Sequence, residues 1–292
     1  MNKSTLVCIH IMPLEIEMFE RFMVQYRKAL SYLDSNDDVT VKASLNLNPY
    51  LTNWNESELD QTYFIDIFNK QLEGIKSIKE IVTDTALWGT TQQKRESLAL
   101  NYDQFIFVDT DIILHEHQLK HQLNLSYQLN GMFLVSPSLP KWWDESWDPL
   151  VSTNMKGEEY GFAFKKEAID AVYNQSVTQI TANQILPIKF GCGMHTLYSK
   201  EFWNFIQIPE SFGGYGPEDT FGMFTSNLAI QMGYDIKQFV MDGIFITEDY
   251  TNREPSILNK VTPIDKKDEF YQRADSAAKH EILTFVDRIK QK

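Results

Sequence analysis

The chain opens with an apolar run from Thr5 to Met12, stopped by Pro13. A short continuous apolar run of this kind reads as a buried strand. Phe19, Phe22, Met23, Tyr26, Leu30 and Leu33 then recur at helical spacing and predict an amphipathic helix. Apolar and polar residues alternate from Val39 to Leu47, which predicts a second strand. Residues 64–81 read as a mixed helical stretch, and Thr91–Leu100 as polar and then helical. Phe105, Ile106, Phe107 and Val108 form a compact apolar run that ends abruptly in Asp109-Thr110-Asp111. Alternation of strand and helix over this first part predicts an α/β fold with an open, mostly parallel, Rossmann-like central sheet flanked by helices. Ligands of such sheets sit beyond the carboxyl ends of the strands, where Asp109 and Asp111 fall.

The pattern is less regular further on. Lys141–Leu150 interleaves Trp142, Trp143 and Trp147 with Asp144, Glu145 and Asp148. Phe190–Tyr198 predicts a strand containing Gly191 and Gly193, Glu210–Phe221 a glycine-rich acidic loop opening a helix, Thr251–Pro263 a loop, and Lys266–Lys292 a closing helix. No repeat or linker interrupts the chain. The expected organisation is one domain over 1–292, with a first half at 1–114, a second half at 115–264 and a closing helix at 265–292.

Composition narrows the class. With 292 residues, 43% hydrophobic and 23% charged, the chain is long enough for one well-buried core. A net charge of −13 disfavours nucleic acid and anionic membrane surfaces as partners. Two cysteines, far apart at Cys8 and Cys192, give no disulfide framework and fit a reducing compartment. No stretch of about 18 apolar residues predicts a membrane span. The opening run is too short for a signal peptide, so a cytoplasmic location is expected.

Two acidic motifs carry the candidate chemistry. Asp109-Thr110-Asp111 at the end of an apolar strand suits a hard cation such as Mn²⁺ or Mg²⁺, shared with substrate phosphates. The bland alternative is a solvated turn in which Asp111 caps a helix. Gly213-Gly214-Tyr215-Gly216-Pro217-Glu218-Asp219-Thr220 puts two acids at a helix start, where one is a candidate general base. Its alternative is a capped helix with a Pro-Gly turn. The tryptophan cluster offers aromatic faces to a sugar or, alternatively, core anchors. His115, His117 and His121 lack a third ligand in register and read as a solvated helix start.

Together these segments resemble the GT-A glycosyltransferases. Phe107-Val108-Asp109-Thr110-Asp111 is similar to their strand-DxD, and Phe190 to Phe202 followed by Gly213 to Phe221 to their glycine-containing strand and Tyr-Gly-x-Glu-Asp loop. The likeness runs to inverting beta-1,4-galactosyltransferase and chondroitin-synthase-like members. Gln93-Lys94-Arg95-Glu96 stands where the family often has an Arg-Asn pair near the nucleotide. The resemblance implies transfer of a sugar from a nucleotide diphosphate donor, UDP-sugar favoured, to a carbohydrate or glycoconjugate hydroxyl. It implies Asp219 as base and Glu218 as its helper, with Asp111 and Asp109 on the metal. Asp109, Arg95, Gly193 and Gly214 would meet the donor, and Trp142, Trp143 and Tyr215 the acceptor. The family's further metal ligand is often His; here the matching stretch has Glu248 or Asp249 instead. A second reading is a haloacid-dehalogenase-like phosphatase with Asp109 as nucleophile. Its DxD usually follows the first strand, whereas here about a hundred residues of α/β pattern precede it.

Overall fold

The computed structural model describes residues 2–48, 54–56, 58–83, 89–139, 150, 173, 175–180, 194–214, 216–244, 246–249 and 267–291. Its strands are β1 Thr5–Ile11, β2 Val39–Asn46, β3 Ser77–Val82, β4 Gln104–Val108, β5 Ile112–Leu114, β6 Met132–Ser138, β7 Val177–Ile180, β8 His195–Ser199, β9 Ile236–Ile244 and β10 Ile246–Glu248. Its α-helices are α1 Ile16–Ser31, α2 Gln61–Gln71, α3 Gly89–Leu98, α4 Gln118–Ser126, α5 Lys200–Ile206, α6 Glu218–Gln231 and α7 Lys267–Lys290. Eight strands form one sheet in the order β3-β2-β1-β4-β8-β6-β9-β7, and β5 pairs with β10 as a separate ribbon.

The central strands β1 and β4 are largely apolar because both faces are covered. In β1, Val7, Ile9 and Ile11 enter a core with Phe19, Phe22 and Met23 of α1 and Phe64 and Phe68 of α2. Leu6 and Cys8 point the other way, into a second core with Phe202, Trp203, Phe212, Phe221 and Phe285. β4 divides likewise: Ile106 and Val108 enter the first core, Phe105 and Phe107 the second. Each large apolar side chain sequestered in this way contributes about 1.5–3 kcal/mol.

β1 pairs in parallel with β2 and β4, and β2 with β3, so four consecutive strands end on the same edge of the sheet. β8 then runs antiparallel between β4 and β6. This is the mostly parallel, helix-flanked sheet that the pattern of apolar residues predicts.

Local departures have local causes. Residues 64–81 are not one helical stretch: α2 stops at Gln71 and β3 begins at Ser77. Gly74, with φ of 71°, makes the left-handed turn between them. β2 shows the expected alternation, yet Thr40, Lys42, Ser44 and Asn46 are as buried as their apolar neighbours. The strand from Phe190 to Tyr198 is seen as His195–Ser199, with 190–193 outside the described residues. β6 and β9 were not foreseen. β6 carries Pro137, and the β6–β9 register shifts between Pro137 and Ser138. The closing helix appears as Lys267–Lys290.

Candidate functional site

Asp109-Thr110-Asp111 leaves the carboxyl end of β4 and is fixed by its backbone. The Asp109 amide donates to the Met194 carbonyl at 3.1 Å, which continues the β4–β8 ladder past Val108. The Asp249 amide donates to the Asp111 carbonyl at 2.6 Å, where the ribbon of β5 and β10 closes. In that ribbon Glu248 pairs with Ile112, so the acidic stretch proposed to complete a metal site runs beside Asp111. The carboxylate of Asp249 lies 3.8 Å from Arg21 Nε.

The glycine-rich loop reaches the same edge of the sheet. A single 3-10 turn at Glu210–Phe212 ends at Gly213, whose φ of 63° lets the chain reverse. Gly214 turns its carbonyl to the first turn of α3 and accepts from the Thr91 amide at 2.9 Å. Arg95, expected to meet the donor, donates to the carbonyls of Pro209 at 3.0 Å and of Gly213. α6 then begins with Glu218 and Asp219 in its first turn, where the helix macrodipole favours negative charge.

Lys94 joins the two motifs. The residue is 6% exposed, and its ammonium forms a salt bridge with Glu218, also 6% exposed. Glu218 accepts a second hydrogen bond from Thr91 Oγ1 at 2.9 Å. The Lys94 Nζ also stands 5.2 Å from the centre of the Phe107 ring, at the end of β4. Burial would pull the Lys94 ammonium down, but the charges of Glu218, Asp109 and Asp219 outweigh it and hold the group protonated. Asp109 is exposed to solvent, yet protein crowds its carboxyl enough for enclosure to act on it. That enclosure first, and the charges of Asp111, Glu15 and Asp219 after it, push its carboxyl up to about 7 against the pull of Lys94. Asp109, Asp111, Asp219, Glu15 and Lys94 therefore share one electrostatic neighbourhood.

Beside them lies a buried polar layer that the sequence pattern did not flag. α3 covers β1 and β2 with Gln93, Lys94 and Ser97 rather than with apolar residues. Facing it are His10 of β1 and Lys42, Ser44 and Asn46 of β2. Both ring nitrogens of His10, Asn46 Nδ2 and Gln93 Nε2 are buried without a well-formed hydrogen bond among the described residues, although the Gln93 carboxamide lies next to the imidazole. Burial, then Lys94 and Lys42, hold His10 well below the usual imidazole range. A polar position repeated on the covered face of a core strand was the available signal.

Trp142, Trp143, Gly193 and Tyr215 lie outside the described residues. The histidines at 115–121 are not a solvated helix start. His115 is buried and stacks on Tyr173 with ring centres 3.6 Å apart, and His117 and His121 pack around the same ring. Among the described residues no three His, Cys, Asp or Glu side chains converge as a complete metal cage.

No protein-family profile and no curated protein matches this chain. Solved structures do. Residues 1–349 of S. aureus TarS in complex with UDP-GlcNAc share 13% identity and a TM-score of 0.50, over 83% of this chain and 57% of that one. The longer structure of S. aureus TarS gives the same identity and TM-score over 83% of this chain and 36% of that one. This chain thus spans little more than half of the shorter TarS structure. The likeness shows a shared GT-A type of fold: a mostly parallel eight-stranded central sheet flanked by helices.

Proposed function

We propose that this protein is an inverting glycosyltransferase that moves a sugar from a UDP-sugar to a hydroxyl group of a glycan or glycoconjugate. One observation carries the reading: Lys94 binds Glu218, lies 5.2 Å from the centre of the Phe107 ring at the end of β4 and feels the charges of Asp109 and Asp219, so the two acidic motifs share one charged neighbourhood. The shared fold with a protein crystallised with UDP-GlcNAc favours the donor class.

In this reading Asp219 takes the proton of the acceptor hydroxyl. The freed oxygen attacks the anomeric carbon, and the carbon–oxygen bond to the diphosphate breaks with its electron pair leaving on UDP. Glu218, fixed by Lys94 and Thr91, holds the first turn of α6 and thereby the direction of Asp219. Asp109 receives a sugar or ribose hydroxyl. The donors of Asn46 and Gln93 that lack a hydrogen bond among the described residues give the nucleotide end polar contacts next to His10. Lys94 offers positive charge towards the leaving diphosphate. Trp142, Trp143 and Tyr215, which lie outside the described residues, are the proposed acceptor contacts.

Mn²⁺ or Mg²⁺ fits the paired carboxylates of Asp109 and Asp111, because such ions commonly take one or two protein carboxylates and complete their shell with phosphate and water. Bound there, the ion would stabilise negative charge on the diphosphate. Glu248 is the proposed further ligand.

The test is Asp219→Asn, assayed by UDP release from UDP-GlcNAc, UDP-glucose and UDP-galactose with Mn²⁺. Turnover should fall about 100-fold or more, since a positioned base contributes roughly 10²–10⁴. UDP binding by calorimetry should be retained. Normal turnover in this variant would remove Asp219 from the mechanism.

A further inference from the structure

The loop carrying Glu218 and Asp219 is gripped from two sides. α3 holds it by hydrogen bonds from Thr91, Lys94 and Arg95. On its other side lies α7, the last helix of the chain. Ser211 Oγ donates to Glu281 of α7, and Ala274 of α7 is fully buried. Phe212 is 1% exposed and packs edge-on against Phe221 of α6, with ring centres 5.2 Å apart.

Gly216 is the point of closest approach. A methyl group there would stand 2.7 Å from Cβ of Ala274 and 3.0 Å from Cβ of Phe212. Gly216 is not among the glycines with positive φ, so its backbone does not itself demand glycine. The demand comes from α7. Carbon atoms pack at about 3.5–4.0 Å, so a side chain at Gly216 must push α7 and the loop apart by about 1 Å. An error of about 1 Å in the placement of a reacting group costs on the order of 10²-fold in rate.

We infer that α7 is a positioning element for the base. Through the Gly216–Ala274 contact and the Ser211–Glu281 hydrogen bond it sets where the first turn of α6 holds Asp219. The inference rests on the role of Asp219 proposed above and adds the distant helix on which that role depends.

The experiment compares Gly216→Ala, the double variant Gly216→Ala/Ala274→Gly, Glu281→Ala and Asp219→Asn in the full chain. It measures UDP release from UDP-GlcNAc in Mn²⁺ and hydrogen exchange of the loop amides. Gly216→Ala should lower kcat about 100-fold with KM for UDP-GlcNAc within about twofold. The double variant should recover at least about tenfold of that loss, incompletely because the Phe212 contact remains. Glu281→Ala adds no bulk and lies on an exposed hydrogen bond, so it folds. It should speed exchange in the loop and lower kcat with KM unchanged. Folded Gly216→Ala with normal kcat, a double variant no better than the single one, or Glu281→Ala unchanged in both readouts would each overturn the inference. Normal turnover in Asp219→Asn, or no UDP release by the unaltered chain, would instead overturn the proposed function. Loop exchange in Glu281→Ala would then decide the mechanical claim alone.

Discussion

Lys94 shows how much one residue can decide at this site. A buried ion pair is costly to break from one side, because the remaining charge is left without a partner. Lys94→Met should therefore destabilise the protein by about 3–5 kcal/mol. Lys94→Met/Glu218→Leu should restore most of that loss in a denaturant titration, yet leave UDP release low. Recovery of activity together with stability would show that the pair is structural only. Asp109 makes a separate prediction. Its folded-state pKa of about 7 lies above its ordinary 3.8, so the native state holds this proton more tightly than the unfolded chain does. The associated stability is present in full below pH 3.8 and is lost as pH rises towards about 7. Asp109→Asn should thus gain melting temperature relative to the native protein between pH 4 and pH 8, most at pH 8. A pH-independent difference in melting temperature would contradict the shift. The pair Asp109 and Asp111 was legible in the sequence because it ends an apolar strand. Lys94 was visible there only as part of a polar tetrapeptide, because nothing local says that it is buried.

Among the elements, strands with both faces covered were the easiest to foresee, and turns and polar-faced helices the hardest. β1 and β4 announce themselves as apolar runs. α3 does not, because it buries Thr91, Gln93, Lys94 and Ser97 in place of an apolar stripe. The join between α2 and β3 was missed because a helical reading ran through Gly74. No atom would lie within 4 Å of a methyl group at that position, so Gly74→Ala tests backbone conformation alone. It should cost about 1 kcal/mol in chemical denaturation, from the left-handed φ. A neutral substitution would mean that the turn relaxes to negative φ. At the far end of the sheet, Arg288 of α7 donates to the carbonyls of Phe205 at 2.6 Å and Ile206 at 2.9 Å. It thereby holds the end of α5, where Gln207 adopts a φ of 62°. The closing helix therefore supports two turns as well as closing a core.

For the molecule as a whole, the parallel strands β1, β2 and β4 gather their carboxyl ends at one edge, and that edge receives every acid of the candidate site. β8 runs back between β4 and β6, so that Met194 supports Asp109 from the second half of the chain. A ligand that binds the folded protein alone raises its melting temperature according to its concentration over Kd. UDP-sugars should raise the melting temperature more than GDP- or CMP-sugars do, with a larger shift in Mn²⁺. At one hundred times Kd the stabilisation should approach about 2.7 kcal/mol. Equal shifts for all three nucleotide classes would count against the donor proposed. Among the described residues no helix is long and apolar enough to cross a membrane.

By itself the sequence determined the α/β class, the first strand, the strand that ends in Asp109 and the two acidic motifs. Each is written in a run of neighbouring residues: period, apolar continuity, or a glycine cluster beside acids. Only the tertiary structure decided that Lys94 bridges those motifs, that Arg95 is engaged with loop carbonyls, that polar residues of β2 lie beneath α3, and that α7 passes against Gly216. These facts depend on contacts between residues far apart in the chain. Burial and charge pairing arise only when distant segments meet, and no local pattern encodes them.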